Sequence, residues 1–120
     1  MGPTVFKSSG WCLMATVQVA EGAPDLAEIL ADLHFDFRLD PAVASPPGYR
    51  WFNLFVDARR GLRRCALIAY RLLSALKRIA EAGDLPGFDI LAGERWLEYP
   101  APLETTLLEK EGSRISIERH

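Results

Sequence analysis

Two histidines, two cysteines and a scatter of carboxylates are the groups this 120-residue chain offers for acid–base, nucleophilic or metal chemistry. His34 falls on a strand-like run and His120 is the last residue. Neither stands near a serine or cysteine at a spacing that pairs a nucleophile with its base. There is no CxxC, no HExxH and no glycine-rich phosphate loop. Asp36 and Asp40 share one face of a strand, a spacing that two metal ligands could use, but a solvated strand face is the plainer reading. The expectation is a protein that is not an enzyme and has no cofactor and no metal. Cys12 and Cys65 are too few for a disulfide framework and read as buried free thiols.

The charge pattern is more informative. Residues 58–80 carry seven basic side chains and no acidic one, in a chain whose net charge is −2, so the rest of the chain carries −9. Arg59, Arg60, Arg63 and Arg64 crowd the start of a helix, the end where cations are disfavoured by the helix dipole. With Arg71 they form a candidate anion site, since guanidinium forks suit phosphates. The opposing reading is a basic face paired with acids of the same protein. A chain pI near 5.7 argues against a nucleic-acid partner. The acidic counterpart is Asp25, Glu28 and Asp32 along a first helix, with Asp36 and Asp40 on the next strand. Such a set could mask a basic protein surface.

The elements that must position these groups follow from periodicity. Residues 1–10 read as a flexible leader and 11–120 as a single α+β domain. Residues 11–20 are strand-like, with Leu13, Ala15, Val17 and Val19 alternating with Met14, Thr16 and Gln18. Residues 25–33 place Leu26, Ile29, Leu30 and Leu33 on one helical stripe, entered at Pro24. Residues 34–40 and 50–58 read as two strands of a hairpin, joined by a loop rich in proline. Residues 58–82 form the long helix, stopped by Gly83 and Pro86. Its apolar positions cover roughly 200° of arc, about twice what a surface helix needs, so it is expected to be the main support of the core. Short strands are expected near 88–91 and 95–99, and a hairpin over 103–119.

That order matches an antiparallel sheet with two helices on one face, the ferredoxin-like βαββαβ arrangement, plus a C-terminal β-hairpin. Val17, Val19, Phe35, Phe37, Phe52 and Leu54 are then expected to face the helices. Trp51 and Phe55 line the opposite face with Thr16, Gln18, Asp36 and Arg38. There they anchor a protein contact, or the C-terminal hairpin folds over them. The run 50–56 lacks the glycine of the aromatic RNA-binding signature, so base stacking is not expected.

No run of about 18 apolar residues is present, and the N-terminal stretch lacks the layout of a signal peptide, so a cytoplasmic protein with no membrane partner is expected. Arginine outnumbers lysine eleven to three, which fits a GC-rich bacterial source. The leading expectation is a small binding protein whose partner is another protein, a toxin or a second copy. A bacterial immunity protein or antitoxin has this profile. Binding of nucleic acid or an anionic ligand by the arginine helix is the alternative.

Overall fold

The structure, a computed structural model, describes residues 4–6 and 10–98. Its centre is a pair of long antiparallel strands, β2 (Trp11–Ala20) and β4 (Tyr49–Asp57). β3 (Phe37–Pro41) pairs antiparallel with the outer edge of β4. The other edge of β2 is shared. β1 (Thr4–Phe6) pairs with residues 11–13, and β5 (Asp89–Ala92) pairs with residues 16–18. All these pairings are antiparallel. Helices α1 (Leu26–Leu30) and α2 (Leu62–Glu81) join this sheet to make an α+β fold. The strand β1 lies in the stretch expected to be a leader, and the expected hairpin over 103–119 lies outside the described residues.

One core holds the layers together. Val17, Leu30, Leu54, Val56, Leu72, Leu73 and Leu76 are fully buried in it. Eight residues of α2 are buried, from Cys65 to Leu76, as its wide apolar arc requires. Arg71, Lys77 and Arg78 remain exposed. The C-terminus of α2 is a Schellman cap: Gly83 takes φ +88°, its N–H donates to Ala80 O, and Asp84 N–H donates to Ile79 O. Leu85, just beyond, is buried under this cap.

Several expectations need correction. The first helix is shorter than 25–33. It ends at Leu30 and tightens into a 3-10 turn, Ala31–Leu33. Asp25, not Pro24, makes its start: the Asp25 carboxylate accepts the Ala27 N–H at 3.0 Å. His34 closes the 3-10 turn in the left-handed region at φ 57°, so β3 begins at Phe37 rather than at residue 34. Phe35 therefore packs against the core from outside the strand. Residues 95–98, where a strand over 95–99 was expected, are not a strand. Glu94–Glu98 is a 3-10 turn packed on α2, which places Trp96 and Leu97 against the core.

The alternation expected for β2 also fails at one point. Leu13 pairs with Phe55 and Ala15 with Leu54, so Met14 is an extra residue opposite a continuous β4. This β-bulge shifts the phase of the strand. Cys12 faces the core before it, and Ala15, Val17 and Val19 face the core after it. Leu13 is left half-buried on the opposite face, with Trp11.

Candidate functional site

Two surfaces collect the polar and aromatic groups singled out above. The first is the sheet face turned away from the helices. The strand register brings Arg38, Phe55 and Leu13 into one row, Asp40, Asn53 and Thr16 into the next, and Trp51 and Gln18 into a third. Side-chain hydrogen bonds run across the rows. Thr16 Oγ1 donates to Asn53 Oδ1 at 2.8 Å. Trp51 Nε1 donates to Gln18 Oε1 at 3.0 Å, and Gln18 Nε2 donates to the Gly87 carbonyl at 3.2 Å. The Arg38 guanidinium lies 5.6 Å from the Trp11 ring and 5.7 Å from the Phe55 ring, within cation–π range of both. Asp40 pairs with Arg38 from two residues away and steadies it there.

The second surface is an open cleft of about 490 Å3 where three connections converge. The linker into β3 contributes His34, Phe35 and Asp36. The turn from β4 into α2 contributes Asp57, Arg59 and Arg60. The first turns of α2 contribute Arg64 and Ile68. Asp57 organises the turn. Its carboxylate accepts the Arg59 N–H at 3.0 Å and the Arg59 Nε–H at 2.9 Å, and also takes the Nη2 end of the fork. The hydrogen bonds from the Arg59 side chain, then from its backbone, draw the Asp57 carboxyl down to about 2 from an ordinary 3.8. The same partnership raises the pKa of Arg59. Gly61 starts α2 at φ 93° with no side-chain cap and no acid in the first turn.

Beneath the cleft, the Cys65 Sγ–H donates to the Asp57 carbonyl at 3.4 Å. Cys12 and Cys65 are both fully buried and in contact. Burial, then the charges of Cys12 and Asp57, push the Cys65 thiol up to about 12. Burial raises Cys12 as well. Burial thus disfavours the thiolate form of both.

The residues chosen from sequence are thus divided. Of the five arginines, Arg59, Arg60 and Arg64 line the cleft, whereas Arg63 and Arg71 lie on α2 away from its lining. Of the five acids, Asp25 caps α1, Asp36 joins the cleft and Asp40 holds Arg38; Glu28 and Asp32 are exposed on and just after α1. Trp51 and Phe55 lie on the sheet face, each half-buried. Sequence reading missed Trp11, because the bulge that aligns it with Asp57 has no composition signal. It also missed Asp57, whose position two residues before Arg59 was the available clue.

Among the described residues, no group of three or more His, Cys, Asp or Glu side chains is placed to hold a metal ion. No helix in that set is long and apolar enough to cross a membrane. No protein-family model matches the chain, and neither a curated protein nor a solved structure shows significant similarity to it.

Proposed function

We propose that this protein is a small binding module whose partner is another protein, and that it docks through the sheet face opposite the helices. The observation that carries this reading is the placement of Arg38 over Trp11 and Phe55, on the face that also carries Trp51. Tryptophan and arginine are the residue types that dominate binding energy at protein interfaces. Here their cost of ordering is already met, because Asp40 holds the guanidinium and Gln18 holds the Trp51 indole. An antitoxin or immunity role is one form of this reading, with a toxin as the partner. An acidic mask gives it less support, since Asp25 caps α1 and Asp40 holds Arg38, leaving Glu28, Asp32 and Asp36. The same reading takes the fold to be ferredoxin-like. What supports it is that β5 and β3 flank the central pair β2 and β4 in the order of that arrangement.

The test uses the full chain as bait in native lysate, with light scattering to detect self-association. The wild type should retain a partner or dimerise. Trp51→Ala and Arg38→Glu should each weaken that interaction by about 30-fold or more, as expected for central contacts. Arg60→Gln should leave it unchanged. A wild type that stays monomeric and retains nothing overturns the reading. So does a partner held equally well by the Trp51 and Arg38 variants.

A further inference from the structure

Both cysteines of the chain and its one internal methionine meet at a single point in the core, although Cys65 stands far from Cys12 and Met14 in sequence. The Cys12 Sγ–H donates to the Met14 Sδ at 3.5 Å. The Cys65 thiol is hydrogen-bonded to Cys12. All three side chains are buried, the two cysteines fully. Two features of the fold bring the sulfurs together. The bulge in β2 keeps Met14 on the core side with Cys12 and still returns Ala15 to it. The first turn of α2 supplies Cys65, whose thiol also donates to the Asp57 carbonyl at 3.4 Å. Asp57 lines the open cleft, so a single residue connects the sulfurs to its wall.

We infer that Cys12, Met14 and Cys65 form a three-sulfur site for monovalent copper, with the two thiolates and the Met14 thioether as its ligands. The donor set selects the metal. Thiolate and thioether sulfurs are soft ligands, which favour Cu(I). Structural zinc takes four ligands, and among the described residues no group of three His, Cys, Asp or Glu side chains is placed to hold an ion. Magnesium and calcium take oxygen ligands, which this cluster does not offer. The hydrogen bond already aims the Met14 sulfur at the Cys12 sulfur, and the ion takes the place of the proton between them. Metal–sulfur bonds of about 2.3 Å set the sulfurs of a planar three-ligand site about 4 Å apart, so the 3.5 Å pair has to part by about half an ångström. Burial makes both thiolates costly, so a cation must bond strongly to sulfur to displace the protons. On binding, copper forms bonds to both thiolates and accepts a lone pair from the thioether, and the two thiol protons leave to solvent. The copper enters and remains as Cu(I), so nothing is oxidised or reduced. The bound ion ties β2 to the start of α2, an end that has no side-chain cap of its own.

The experiment titrates the full chain with Cu(I) under anaerobic conditions with ascorbate, in competition with the chromogenic Cu(I) chelator bicinchoninate. The protein should withdraw one equivalent of copper from the chelator. Sulfur-to-copper charge-transfer absorption in the ultraviolet should rise to the same end point, and X-ray absorption should show a shell of sulfur alone. Excess Zn(II) should not displace the copper. Met14→Leu conserves volume, so the copper-free variant should keep the circular dichroism of the wild type. It should nevertheless bind Cu(I) about tenfold more weakly or worse, since even groups behind the ligands are worth that much to a metal site. Cys12→Ser and Cys65→Ser should each weaken Cu(I) by about 100-fold or more. Trp51→Ala, on the sheet face, should change nothing. Failure to withdraw copper from the chelator overturns the inference. So does undiminished affinity in Met14→Leu, displacement by Zn(II), or a copper shell that contains nitrogen or oxygen.

Discussion

Trp96 Nε1 donates a 2.8 Å hydrogen bond to the carbonyl of Met14, the extra residue in β2. The bulge breaks the ladder, and an indole 82 positions away satisfies the group it leaves over. Gly93 makes the approach possible. A Cβ at that position would collide with the Met14 carbonyl and lie 2.9 Å from the Ala15 Cα, and the backbone there sits at φ 94°. Trp96→Phe should therefore cost about 1–2 kcal/mol, the penalty for an unsatisfied buried carbonyl. Gly93→Ala should cost more, because strain and collision add. Urea unfolding of both variants checks the order; a neutral Gly93→Ala would mean the bulge and the 3-10 turn do not touch.

The Asp57–Arg59 pair makes a prediction about acid. The Asp57 carboxyl titrates near 2 in the folded protein, against an ordinary 3.8. A group with a lowered folded pKa stabilises above its unfolded pKa and loses that contribution as pH falls through the folded one. The pair should thus contribute fully above about pH 4 and nothing much below about pH 2. Melting temperatures of wild type and Asp57→Asn, measured from pH 2 to 6, should converge at the acid end. A constant gap would show that the substitution acts through packing or turn geometry instead.

The two thiols should be silent to alkylation. Cys12 and Cys65 are fully buried, and burial holds both as neutral thiols at neutral pH. Iodoacetamide at pH 8 should label neither in the native protein and both in denaturant. Any slow native labelling should follow the equilibrium population of the opened state, because alkylation is slow relative to reclosing. Fast modification of Cys65 in the native state would mean that the start of α2 opens on its own.

The helix ends can be tested as a pair. Asp25→Ala removes the side-chain cap of α1 and should cost about 1 kcal/mol. Gly83→Ala forces a side chain into the left-handed cap of α2, where open space surrounds the position, and should also cost about 1 kcal/mol. The two caps close different helices through different hydrogen bonds, so the double variant should lose the sum. Chemical unfolding of the three variants checks this; a loss well short of the sum would mean that the two ends are coupled.

The elements that sequence reading placed well are those whose signals are local. The apolar arc of α2, the glycine after it and the alternation of residues 50–58 depend on residues near one another, and β4 and α2 appear close to where periodicity puts them. The errors occur where distant contacts decide. The stripe of residues 25–33 suits a helix, yet α1 stops at Leu30, and within it only Leu26 and Leu30 are buried. The run from Arg95 resembles a strand, but Trp96 is drawn onto the core as a turn because Met14 offers it an acceptor. The cleft was half legible: its arginines stand out as a run, whereas Phe35, Asp36 and Ile68 join them only once β3 and α2 are packed.

The unequal lengths of the strands govern how the molecule can stick to itself. Ten-residue β2 and nine-residue β4 are the segments most able to template a foreign strand, and both are enclosed. Among the described residues, the edges belong to strands of three, four and five residues, one of them ending in Pro41 and carrying Arg38 and Asp40. Short edges with charge and proline are poor seeds for stacking into fibrils. The protein can therefore keep broad aromatic area on a sheet face while its rim resists polymerisation, which separates what it is free to recognise from what it must avoid.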